Sequence, residues 1–479
     1  MNVCWMQWNK EKLNLKYEKL IVAIEIILCT LVMLSVCFNN NIWWDEAYTY
    51  DIVLNNSMAE MIKTTALDVH PPLYYLILQV ITGVFGDGLF VFKCVSILAA
   101  VFSMILGGTV IRKRWGIKTS VLFIFFAGFA PQMLFFNVQL RMYSWAAFFL
   151  LASAVYAYEI ICENRIKDWV LFVFFSLCGA YTLYFAAVTC AIMYAFLLVY
   201  FMLRDRTQIK KWLIACGATI ALYLPWLYLF LVFTTSMFPE EAVSDTVIEK
   251  GQFSEFILWA FESDIEADWI IYAGVCIVAL LMLWKKKKEF AHGKGIYLIT
   301  LVATPVWTWL FGSVCTYMAN KPVLHRYIFP SLMLFWLAIA ILLGRFRNRV
   351  FYVVMMMVCI LGMYNYKFVY FDEYHIAPRL EMTEQFIENN MSEDELVVYE
   401  LEPFRIMYEY YMPGQNLVYL EDLNLKEQIG KSFWYIDAWG DYFSQEEIET
   451  YHIVKEEYGD FGIQSMDFKI YKITVNGNE

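Results

Sequence analysis

About eleven stretches of this chain are apolar over 13 to 24 residues, and that repetition constrains the fold more than anything else in it. They fall near 20–38, 89–111, 119–131, 140–161, 168–185, 187–203, 211–234, 269–284, 295–317, 326–344 and 350–371. A helix of about 20 such residues crosses roughly 30 Å of hydrocarbon. Lipid offers no partner to a backbone amide, so each crossing must bond its own backbone, as a helix does. With 60% hydrophobic residues, a soluble globular chain is excluded and a polytopic membrane protein is expected. Lysines before the first run imitate a signal peptide, but the run is long and no small-x-small site follows it. It reads as a retained first span.

Positive charge orients these spans. Lys10, Lys12, Lys16 and Lys19 precede the first, and Arg112-Lys113-Arg114 with Lys118 follow the second. Arg204, Arg206, Lys210 and Lys211 follow the sixth, Lys285 to Lys288 the eighth, and Arg345, Arg347 and Arg349 the tenth. With eleven spans all of these share one side, the cytoplasm. The C-terminus then lies outside a plasma (inner) membrane.

The outer face receives the first loop, 39–88, the link 131–141, the acidic loop 235–268, the link around 321–327, and the tail. Leu73 to Phe85 is apolar but too short to span, and reads as an interfacial helix in the first loop. Residues 1–371 thus form a membrane domain and 372–479 a separate small domain. The tail carries 24 Asp and Glu against 7 Lys and Arg, a balance of −17, which leaves +6 for the rest. Nothing suggests nucleic acid. In the tail, 381–389 is amphipathic, 395–399 and 433–437 resemble buried strands, and 468–474 alternates as a strand does. This predicts one small extracytoplasmic α/β domain. The cysteines lie mostly inside apolar runs, without metal-ligand spacing, and read as small buried hydrophobes.

Chemistry concentrates on the outer face. Trp43-Trp44-Asp45-Glu46-Ala47-Tyr48 follows the first span and sets two adjacent carboxylates among aromatic residues that favour the headgroup level. A single acid there would read as a solvated loop residue. Asp68-Val69-His70-Pro71-Pro72-Leu73-Tyr74-Tyr75 follows in the same loop, where Asp68 and the prolines also read as a helix start. Arg141-Met142-Tyr143-Ser144 and His325-Arg326-Tyr327 open two spans on the side where positive residues are sparse. Arginine's planar fork matches phosphate oxygens, so this set suits an anionic lipid headgroup. The alternative is interfacial anchoring by helix-end arginines. Lys93, a turn inside the second span, is expected to snorkel outward.

In this order the motifs resemble the bacterial GT-C membrane glycosyltransferases, the branch related to protein O-mannosyltransferases and aminoarabinose transferases. The likeness lies in the acid pair, HPPLYY at 70–75, RMYS at 141–144, AYTLYF at 180–185, and HRY at 325–327 with Pro330. Gln139-Leu140 stands where that family often has Glu-Ala, and Leu183 where it often has His, so those positions receive no role. The resemblance implies inverting transfer of a sugar from a polyprenyl-phosphate donor to an extracytoplasmic acceptor. Asp45 would act as base, with Glu46 orienting the acceptor. Arg141, Arg326 and His70 would hold the leaving phosphate, with Asp68, Tyr143, His325 and Tyr327 in the substrate site. A divalent metal is compatible with this scheme but not required by it.

Location argues for the same donor. Nucleotide sugars are cytoplasmic, so an activated sugar reaches the outer face on a lipid. The rival is a transporter or flippase of a lipid-linked saccharide that binds without turnover. It predicts similar halves and interrupted spans near mid-membrane. Pro225 and Pro305 could supply interruptions, but the halves differ and the polar groups gather at one face. A sensor with an outer domain would leave the acid pair idle.

Overall fold

The computed structural model describes residues 2–479 apart from 39–40, 68–69, 235–251, 262–267, 286–293, 319–323, 393, 402–403, 441–442, 464–465 and 478–479. By contacts the chain divides into two compact units. One comprises 1–37 and 56–369, the other 38–55 and 370–479. Residues 38–55, which the sequence placed with the membrane domain, group with the tail.

The first unit is helical, and each of the eleven apolar stretches is mostly helix, 168–185 running past the break at 181–183 into the next helix. Among the described residues, eight helices are long and apolar enough to cross a membrane. The stretches near 119–131, 168–185 and 269–284 correspond to Ile117–Phe129, Ile166–Ala180 and Asp268–Lys285, outside those eight. Leu73–Phe85 is the short helix expected of the first loop. Helices Tyr143–Glu163 and His325–Leu343 are mostly buried and form the centre, while Arg206–Val232 is largely exposed. That pattern is the one lipid permits, because apolar side chains facing it cost nothing.

One end of this unit gathers the basic connections. Arg114 forks onto Glu159 at 2.5 and 2.6 Å and also reaches Glu163. Arg165 joins Glu159 at 2.9 Å and Asp168 at 2.8 Å. Lys118 donates to the Phe346 carbonyl, and Lys211 to Asn164. Glu159 and Asp168 are buried, which is tolerable only because their oxygens meet guanidinium donors.

The second unit holds a five-stranded sheet in the order β2-β1-β3-β5-β4. Its strands are β1 (Leu396–Tyr399), β2 (Asn416–Tyr419), β3 (Lys431–Asp437), β4 (Ile453–Ile463) and β5 (Met466–Val475). β1 pairs parallel with β2 and β3, whereas β5 runs antiparallel to both β3 and β4. Val398, Phe433, Tyr435 and Ile473 lie at the heart of its core. The helix Asn348–Asn390 supplies residues to both units.

Glu400, just past β1, is buried and accepts the Tyr435 hydroxyl at 2.9 Å and the Ala438 and Trp439 amides at 2.7 and 2.8 Å. Burial pushes its carboxyl above the usual range, against the pull of those amides and the hydroxyl. Glu400→Gln keeps one oxygen for both amides and turns its NH2 toward the tyrosine oxygen, so it should fold normally. Glu400→Ala strands the buried Tyr435 hydroxyl and two part-buried amides and should cost about 1–3 kcal/mol. Amide exchange at Ala438 and Trp439 should stay protected in the first variant and accelerate in the second. Equal exchange in both would mean that the carboxylate does not hold this loop.

Candidate functional site

In the second unit, the helix Trp44–Asn55 opens on the acid pair. The Trp43 carbonyl accepts the Glu46 and Ala47 amides, both at 2.8 Å. Glu46 reaches back to the Trp43 amide at 3.2 Å, the return half of a capping box. Acidic residues in the first turn also suit the positive end of a helix. Asp45 and Glu46 are 7% and 2% exposed, so this is no solvated loop. The preceding residue pair is pinned from far along the chain. The Tyr411 hydroxyl donates to the Ile42 carbonyl and accepts its amide, both at 2.7 Å.

In the first unit, the sequence positions His70, Arg141, Arg326 and Tyr327 converge at the end opposite the basic connections. The His70 ring meets Tyr327 edge-on at 5.7 Å. Its Nδ1 is buried without a hydrogen-bond partner among the described residues. Burial first, then the charges of Arg141 and Arg326, hold its imidazole well below the usual histidine range. Arg141 is itself buried. The Arg326 guanidinium lies 5.9 Å from the Tyr327 ring centre. Two cations beside a neutral buried imidazole make a cluster of positive potential suited to an anion.

Local packing positions this group. The Ser144 hydroxyl donates to the Ser96 carbonyl at 2.9 Å, and Ser96 approaches the Arg141 carbonyl at 3.5 Å. This fixes the turn that delivers Arg141 to the start of Tyr143–Glu163. The Leu73 amide donates to the Tyr181 carbonyl, anchoring the helix that follows His70. Phe185 packs against Tyr327 at 5.6 Å, the rings tilted by 44°. Any Cβ at Gly312 would strike the Phe185 ring, so glycine there permits the ring contact that backs Tyr327.

The remaining candidates divide. Tyr143 is fully buried against Phe136 at 5.1 Å, and His325 packs between Trp259 and Phe256 at 5.6 and 6.1 Å. Both join an aromatic wall. Asp68 lies outside the described residues, as do Lys286 to Lys288, Lys321 to Val323 and most of the acidic loop 235–268. Lys93 does not snorkel: it is 4% exposed, one turn before Ser96 on the same face of its helix. Hydropathy could not show this, because a lysine near a span end scores alike whether it faces lipid or protein. Among the described residues no three His, Cys, Asp or Glu side chains gather as metal ligands would.

No protein-family model matches the chain, and no curated protein does. Solved structures do. ArnT from Cupriavidus metallidurans bound to undecaprenyl phosphate aligns over 94% of this chain and 97% of its own, at 11% identity and a TM-score of 0.62. Its apo form aligns over 95% and 99%, at 12% identity and a TM-score of 0.58. The apo oligosaccharyltransferase of Archaeoglobus fulgidus aligns over 90% of this chain and 70% of its own, at 8% identity and a TM-score of 0.50. The chain has the fold of the GT-C membrane glycosyltransferases, multi-pass membrane proteins.

Proposed function

We propose that this protein transfers a sugar from a polyprenyl-phosphate-linked donor to an acceptor outside the cytoplasm, with inversion at the anomeric carbon. The observation that carries this reading is the convergence of Arg141 and Arg326 on the buried His70. Likeness in fold to ArnT, which has been seen with undecaprenyl phosphate, supports the choice of donor.

The chemistry divides between two needs. As the anomeric C–O bond to phosphate breaks, negative charge grows on the phosphate oxygens. Arg141 and Arg326 are preorganised donors for it, and His70 can add a hydrogen bond from its ring. The acceptor hydroxyl must lose a proton as it attacks, and Asp45 is the base assigned to take it. Glu46, by capping the helix, fixes the turn on which Asp45 sits. Tyr143, His325 and Tyr327 shape the apolar surroundings in which these charges act. The acceptor is a cell-envelope glycan, a lipid or a protein.

A transporter would use the same arginines. Pro225 and Pro305 nevertheless lie inside continuous helices, without the broken spans that carry transporter sites. Deleting the gene should cause one polyprenyl-phosphate sugar to accumulate while one envelope substituent disappears, both read by mass spectrometry. Unchanged pools of both would sink the transferase reading. The orientation belongs to the same proposal, with the N-terminus cytoplasmic and the second unit outside. An alkaline phosphatase reporter fused after Glu479 should therefore be active, and an inactive but stable fusion would reverse the assignment.

A further inference from the structure

In the second unit three large rings pack in a row that starts at Trp44, the residue before the acid pair. Trp44 lies 5.5 Å from Phe404 with the rings tilted by 33°, and Phe404 lies 4.9 Å from Trp439 at 46°. Trp44 is 37% and Trp439 49% exposed, so this row is a surface and not a core. Trp43 meets Trp44 edge-on and backs the row. The loop carrying Trp439 is held by Glu400, whose carboxylate binds the Trp439 amide itself. Asp437 accepts the Gly440 amide at 2.9 Å on the other side of that tryptophan. Exposed rings whose backbone is anchored this firmly present a preorganised platform.

From this juxtaposition we infer that the row is the docking shelf for the acceptor and that the acceptor is an uncharged pyranose saccharide. The word acceptor rests on the transferase reading; the saccharide does not. A pyranose ring has an apolar C–H face that packs on the negative face of an aromatic ring, and hydroxyls at its rim. Trp44 immediately precedes Asp45 in the chain, which puts the shelf one residue from the base proposed above. Charge selects among saccharides. The tail's excess of 24 acids over 7 bases repels uronic acids, phosphate polymers and anionic lipid, and leaves neutral sugars unopposed.

The test uses the full-length protein in phosphatidylcholine nanodiscs, with maltotetraose, chitotetraose and mannotetraose as neutral probes and tetragalacturonate as the anionic one. Saturation-transfer NMR should show binding of at least one neutral tetrasaccharide and none of tetragalacturonate. Trp439→Ala should weaken that binding about tenfold or more, and Trp439→Phe should restore most of it. Failure of every neutral probe, equal binding of tetragalacturonate, or wild-type affinity in Trp439→Ala each overturns the shelf. So does quenching of Trp439 fluorescence by brominated phosphatidylcholine, which would place the rings in lipid. Saccharide binding that needs Trp439, without transfer from any lipid-linked donor, would leave the shelf standing and remove the transferase. Transfer with an acceptor KM indifferent to Trp439→Ala would do the reverse.

Discussion

Asp45→Asn should lower sugar transfer by about two to four orders of magnitude while leaving donor binding intact. The substitution is nearly isosteric and keeps hydrogen-bonding capacity, but the amide cannot accept the acceptor's proton. The fold should survive it. The cap of the helix is formed by Glu46 on the Trp43 amide, and Thr49 bonds the Asp45 carbonyl rather than its side chain. Glu46→Gln should cost much less, because glutamine also completes a capping box. The two variants therefore separate base from cap. Rates with lipid-linked donor, measured beside amide exchange of the helix Trp44–Asn55, provide the check. Near-normal transfer in Asp45→Asn with abolition in Glu46→Gln would exchange the two roles. Activity in both would leave the pair a helix start and nothing more.

What could be read from the sequence was whatever leaves a periodic mark. Each apolar run proved helical, and 396–399, 431–437 and 466–475 proved to be strands near the places expected. The strands that escaped were the sheet edges, β2 and β4. β4 is rich in Lys, Glu and Asp, is exposed over much of its length, and breaks register at a bulge between Glu457 and Gly459. An edge strand need bury little, so it carries little alternation. The grouping of 38–55 with the tail was also illegible. It depends on contacts such as Ile42 with Tyr411, 369 positions apart, and no local pattern encodes a partner at that distance. Candidate residues sorted by a similar logic. His70, in the first loop, and Arg141 and Arg326, at the starts of spans, stand out in the sequence as polar groups of the outer face and do converge. His325 and Tyr143 stand out in the same way, yet their amphipathic rings are used in packing.

The phosphate assignment has the second large expected effect. Arg141→Gln removes a buried cation and should weaken binding of undecaprenyl phosphate by about 30-fold or more. Arg326→Lys keeps the charge but loses the planar fork, so it should still cost about tenfold. The pH dependence adds an independent reading. Before a phosphate binds, burial and the two guanidinium groups keep the His70 imidazole neutral at pH 7, its value lying well below the usual one. A phosphate anion beside it stabilises the imidazolium and raises that value. Between the lowered and the raised values, binding then takes up a proton, so affinity should increase as pH falls through that window. His70→Gln should flatten this dependence and spare most of the affinity contributed by the arginines. Calorimetric titrations with undecaprenyl phosphate, in buffers of differing ionisation enthalpy, measure affinity and proton uptake together. Wild-type binding by Arg326→Lys, or an affinity that does not change with pH in the native protein, would remove the phosphate from this cluster.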